Sequence, residues 1–136
     1  MINMSGKHVL VITPHPDDAE SGAGGTIAKW SQQGAVITLV VCTNGNKGTS
    51  DRNISSEEIA KTRRSEQVEA AKVLGIEKVV FLDHPDQALT DNDEFRKELV
   101  TQIRENKPEY DSLWSQVILD VPKLVAIFSE YVVDEL

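Results

Sequence analysis

Three short apolar runs constrain this chain more than any other feature of its sequence. They are HVLVIT (8–13), AVITLVVCT (35–43) and KVVFL (78–82), each rich in β-branched residues and each stopped by a proline or a polar turn. Runs without polar alternation read as strands covered on both faces. Between them lie segments with a helical rhythm. Gly22 to Gln33 carries Ile27, Ala28 and Trp30 and ends at Gly34. Ser55 and Glu58 form a capping box that opens a helix to about Leu74, with Ile59, Val68, Ala71 and Leu74 turned inward and Gly75 as terminator. Asp93 caps a third helix carrying Phe95, Leu99 and Ile103, closed before Pro108. Strand and helix in strict alternation build a parallel α/β sheet with right-handed crossovers.

In such a sheet ligands bind beyond the carboxyl ends of the strands. The segment TPHPDDAESGAGGT (13–26) places His15, Asp17 and Asp18 directly after the first strand. His84 and Asp86 follow the third strand, which should end on the same edge. Asn44 and Gly45 open a polar loop, NGNKGTSDRN (44–53), after the second strand.

Gly22-Ala23-Gly24-Gly25-Thr26 has the look of a dinucleotide-binding loop. That fingerprint needs its glycines immediately after the strand and an acid at the end of the second strand. Here Thr13 and Gly22 are far apart, and the second strand ends in Cys42-Thr43-Asn44. A nucleotide site is therefore not expected, and the glycines read as allowing the helix start a close approach to the sheet or a ligand.

The totals narrow the partners. With 136 residues the chain is expected to form one domain, 1–136. Its net charge of −8, with no basic cluster longer than Arg63-Arg64, argues against nucleic acid and anionic membranes. No apolar run reaches membrane-spanning length, and the N-terminus does not read as a signal peptide. A single cysteine, Cys42, excludes an internal disulfide and fits a reducing, cytoplasmic setting. With no histidine placed to activate it, Cys42 reads as core filler.

Imidazole and carboxylate are ligands for a borderline metal such as zinc, and a catalytic zinc keeps one position for water. Two adjacent aspartates do not easily bind one ion in the same manner. One can ligate while the other acts as general base toward a metal-activated water. HPDD is also compatible with an aspartate-rich turn that caps the next helix beside an exposed His15. The residues alone leave both readings open.

Four segments in order carry a resemblance: TPHPDDAESGAGGTIAKW, TNGNKGTSD, RRSEQVEAAKVLGI and VVFLDHPD. Over roughly residues 7–108 the chain resembles the PIG-L/LmbE-like family of zinc-dependent N-deacetylases. That resemblance implies a Rossmann-like three-layer sandwich with a mainly parallel sheet. It implies hydrolysis of an N-acetyl group from an N-acetylglucosamine-containing or related amide, by a zinc-bound water with an aspartate base. His15 and Asp18 correspond to two of three metal ligands, for Zn2+ or alternatively Fe2+, and Asp17 to the general base. Arg63, in the family's R-x-x-E element, and Asp86 correspond to substrate contacts. For Arg63 the sequence alone equally allows a surface pairing with Glu66 or Glu69, and for Asp86 a turn-forming role after Pro85. Glu20 extends the signature, either as support for the site or as a favourable charge near a helix N-terminus.

The family's third ligand is a histidine in an H-x-x-H element. Of the three histidines here, His8 begins the first strand at its wrong end, and His84-Pro85-Asp86 is followed by Gln87 where a histidine would stand. Beyond Glu109 the chain departs from the family pattern, as a shortened C-terminal portion with a divergent tail (109–136). LWSQVIL is expected to be a fourth strand. Pro122 followed by Leu124, Ile127, Phe128, Tyr131 and Val132 is expected to be an amphipathic helix. The expected function is thus N-deacetylation of a small sugar conjugate. The alternative is an inactive remnant that binds or self-associates, since a shortened sheet leaves an edge for a second copy to cover.

Overall fold

The computed structural model of the chain describes residues 3–106, together with the backbone of residues 116–120 and 123–128. The expected alternation holds through β1 (His8–Thr13), α1 (Asp18–Gln32), β2 (Val36–Thr43), α2 (Ser56–Leu74), β3 (Lys78–His84) and α3 (Asp93–Asn106). With β4 (Gln116–Asp120) and β5 (Lys123–Phe128) the sheet has five strands in the order β3-β2-β1-β5-β4. β1, β2 and β3 are parallel, with Val11 opposite Leu39 and Val40 opposite Val80.

Alternate side chains along these parallel strands enter two cores, which is why the runs are apolar without a break. Val9, Val11, Ile37, Leu39 and Val41 pack with Ala19, Ala23 and Ile27 of α1 and Ala71 of α2. Leu10, Ile12, Val40 and Cys42 pack with Phe95 and Ile103 of α3. The result is helix layer, sheet, helix layer: an α/β three-layer sandwich whose first three strands place their carboxyl ends together.

Several local expectations need correction. α1 begins at Asp18, four residues before Gly22, because Ala19, Ala23 and Ile27 form its buried stripe from the first turn. The glycines therefore sit inside the helix. A Cβ on Gly24 would only touch Leu74, and one on Gly25 would meet nothing within 4 Å, so no close approach explains these two. The cap of α3 is Asn92, whose Oδ1 accepts from the Phe95 N–H at 2.9 Å; Asp93 is the first helical residue. In α2 the Ser55–Glu58 capping box forms and Gly75 closes the helix at φ 76°. Val68, however, is 36% exposed, and the inward place beside Ala71 belongs to Gln67, which is 3% exposed.

The tail differs most. Residues 123–128, expected as helix, form β5 antiparallel to β1, with Val11 opposite Ile127. β4 overlaps the expected fourth strand and pairs antiparallel with β5. KLVAIF is a contiguous apolar run that suits a strand as well as a helix. The free edge of β1, with unpaired backbone groups, selects the strand. Leu113, Trp114, Ser115, Pro122, Tyr131 and Val132 lie outside the described residues.

Candidate active site

The site is assembled from the loops after β1, β2 and β3, which interlock through backbone bonds. The Thr43 N–H donates to the Pro14 carbonyl at 2.8 Å, and the Asn44 N–H donates to the His84 carbonyl at 2.9 Å. These ties hold HPDD against the other two strand ends.

Asp17 is the N-cap residue of α1 and adopts a left-handed backbone, φ 77° and ψ −15°, with no side-chain capping bond. A non-glycine residue there is uncommon, and strain of this kind gathers at functional sites. Its effect is to aim the two aspartates differently. Asp18 turns back to His15: its Oδ2 lies 3.2 Å from the His15 Nδ1 and accepts from the His15 backbone N–H at 3.0 Å. The Asp17 carboxylate stays 76% exposed, and its Oδ2 accepts from Arg63 Nη2 at 3.1 Å. Neither side chain caps the helix, which removes the capping reading of HPDD.

Arg63 makes no ion pair with Glu66 or Glu69 among the described residues. It spans the loops instead, donating from Nη1 to the Gly45 carbonyl at 3.2 Å and from Nη2 to the Pro16 carbonyl at 2.9 Å. A Cβ on Gly45, at φ 63°, or on Gly48 would run into the guanidinium, so the loop after β2 is shaped to receive Arg63.

Asp86 reaches the other side of His15. Its Oδ1 is 3.0 Å from the His15 Nε2, with the Asp86 side chain 11% exposed. The Asn46 Oδ1 accepts from the Asp86 N–H at 3.0 Å, which fixes the loop after β3 to the loop after β2. The two carboxylates occupy opposite nitrogens of one ring and do not converge on one point. Among the described residues no three His, Cys, Asp or Glu side chains gather as a metal cluster. His84 is turned toward α3, bonded to Glu98 and edge-on to the Phe95 ring.

Sequence reasoning missed Gln67. Its Oε1 accepts from the Asp17 N–H at 2.9 Å, and its Nε2 donates to Glu20 Oε1. The other Glu20 oxygen is buried with no partner among the described residues. The only signal for this strut was a polar residue one position before the apolar one expected to face inward. Cys42 is buried, and burial, aided by the Glu98 carboxylate, pushes its thiol up to about 12, as suits a core residue. An open groove of about 350 Å³ begins at Pro16 and Asn44 and runs between α2 and β3 along Lys61, Arg64, Phe81 and Asp83.

The pair formed by His15 Nδ1 and Asp18 Oδ2 offers a nitrogen and a carboxylate oxygen, the donor types that zinc takes. They lie 3.2 Å apart, just inside the roughly 3.3–3.6 Å that separates donors bound at about 2.0–2.2 Å in a tetrahedron.

Comparison with known proteins identifies the family. The model of the family described as PIG-L, GlcNAc-PI de-N-acetylase, matches residues 10–126, continuing past residue 108, the expected end of the resemblance. A diacetylchitobiose deacetylase of Thermococcus kodakarensis is 42% identical over 102 residues, 75% of this chain and 38% of the relative. A probable N-acetyl-alpha-D-glucosaminyl L-malate deacetylase of Bacillus cereus is 36% identical, over 61% of this chain and 39% of the relative. The solved N,N'-diacetylchitobiose deacetylase of Pyrococcus horikoshii superposes with a TM-score of 0.74 at 42% identity, covering 75% of this chain and 38% of that one. The chain spans about two fifths of the length of these relatives.

Proposed function

The chain belongs to the PIG-L family, and on that premise we propose that it is a metal-dependent hydrolase removing an N-acetyl group from an N-acetylglucosamine conjugate. The observation that carries this reading is the divergence of two neighbouring aspartates: Asp18 lies against His15 Nδ1, while Asp17 stands open beside them. In this reading one ligates and the other moves a proton.

His15 Nδ1 and Asp18 would hold the ion, zinc or ferrous iron. When bound, the metal polarises the amide carbonyl and makes a water more acidic. Asp17 accepts a proton from the attacking water and returns it to the departing amine nitrogen as the C–N bond breaks, giving acetate and the free amine. Arg63 keeps the Asp17 carboxylate oriented and, with Asp86, borders the substrate. The groove toward Phe81 receives the remainder of the conjugate. His8 stands at the far end of β1 and His84 is engaged with Glu98, so further ligation falls to solvent, to a second copy of the chain or to residues outside those described. The buried, protonated thiol of Cys42 suits a cytoplasmic setting. Among the described residues no helix is long and apolar enough to cross a membrane.

A second reading, a binding or self-associating module without turnover, is favoured by the absence of a third ligand among the described residues. Acetate release from N,N'-diacetylchitobiose and from simple N-acetylglucosaminides, with and without added zinc, separates the two. Zinc-dependent release that disappears in Asp17→Asn supports the hydrolase. A chain that retains zinc but releases no acetate from any of these supports the module.

A further inference from the structure

We propose that Asp86 is a positioning residue for His15, accepting the Nε2 proton and so leaving Nδ1, the nitrogen facing Asp18, free to bind the metal. This rests on the metal-site reading above and assigns Asp86 a task beyond bordering the substrate.

A neutral imidazole carries one proton, and the nitrogen that keeps it cannot ligate. His15 has a carboxylate at each nitrogen, so its tautomer is decided by which carboxylate accepts. The surroundings are not symmetrical. Asp18 Oδ2 already accepts the His15 backbone N–H at 3.0 Å, and its distance to Nδ1 is the longer one, 3.2 Å. Asp86 Oδ1 is nearer to Nε2, at 3.0 Å. Its carboxylate is nearly enclosed, 11% exposed against 23% for Asp18. Asp86 is also held from behind, because its N–H donates to Asn46 Oδ1, and the Asn46 N–H donates to Asn44 Oδ1 at 3.1 Å. The polar loop after β2 therefore fixes the acceptor that fixes the ring. A metal-binding histidine with its second nitrogen on a carboxylate is a general device for setting ligand direction and basicity.

The test uses the full chain as wild type, Asp86→Ala and Asp86→Asn. Long-range 1H–15N spectra of the metal-free proteins, taken where the ring has titrated to its neutral form, report which nitrogen bears the proton. The expected result is an Nε2–H ring in wild type and in Asp86→Asn, whose amide oxygen still accepts, and a mixture in Asp86→Ala. Zinc dissociation constants should rise about 10- to 100-fold in Asp86→Ala and much less in Asp86→Asn. An Nδ1–H ring in wild type, or a spectrum indifferent to Asp86→Ala, overturns the proposal. If wild type binds no zinc but shows the expected tautomers, the metal-site reading fails and the positioning role of Asp86 stands.

Discussion

Gln67 of α2 accepts the backbone N–H of Asp17, the strained first residue of the α1 turn, at 2.9 Å. A glutamine that is 3% exposed on a helix otherwise packed by alanine and leucine has little reason to be there for packing. Its reason is the N–H of Asp17, which as the N-cap has no acceptor within its own helix. Gln67→Leu leaves that donor and the Glu20 carboxylate without their partner, and should destabilise the chain by about 1–3 kcal/mol in urea unfolding. Gln67→Glu keeps an acceptor but faces Glu20 with a like charge, and should recover only part of the loss. No loss in Gln67→Leu would mean that the Asp17 turn holds itself.

Arg63 and Gly45 form a second coupled pair. Gly45→Ala places a side chain at φ 63° and against the guanidinium. The backbone part alone should cost about 1–2 kcal/mol, and the collision adds to it. In an Arg63→Ala background only the backbone part should remain, so the two substitutions should be non-additive in a double-mutant cycle. Simple additivity would show that Arg63 does not occupy the loop after β2 in solution.

Asp17 and Asp18 should separate cleanly. Asp18→Asn should weaken zinc binding by at least about tenfold, as expected for loss of a charged ligand. Asp17→Asn should leave zinc affinity nearly unchanged and remove acetate release wherever wild type shows it. Equal loss of metal in the two variants would reverse the assignment of ligand and base.

Cys42 gives a pH-dependent prediction. Its thiol is raised from 9.0 to about 12 by burial first and by Glu98 second. A raised thiol favours the protonated, folded form. The stabilisation is fully present below the unfolded value near 9 and is lost as pH rises toward about 12. Stability of wild type should therefore fall more steeply than that of Cys42→Ala between those limits. At pH 8 the thiol should react with an alkylating reagent only after unfolding. Prompt modification of the native chain would contradict the buried placement.

The sequence disclosed those parts of the fold that depend on local chemistry. HVLVIT and AVITLVVCT are strands because a parallel strand covered on both faces needs unbroken apolar residues. Ser55 and Glu58 announce α2 because a capping box is complete within four residues. The HPDD cluster was legible because three ionisable groups after a buried strand need a purpose. What was not legible depends on contacts between segments. β5 is a strand because β1 offers an edge, which KLVAIF itself does not reveal. α1 starts at Asp18 because Ala19 meets the sheet. Arg63 pairs with Asp17, Pro16 and Gly45, and not with the glutamates one turn away, because the loop after β2 brings them to it. The carboxylate of Asp86 is seventy-one positions from His15, and no spacing rule links the two.

The claim at the centre of this account is that His15 and Asp18 hold a divalent metal. The most direct measurement is zinc per chain after limiting metal and desalting, for wild type beside His15→Ala. The account predicts zinc retained by wild type and lost in His15→Ala. Zinc held equally by both proteins, or by neither, would contradict it.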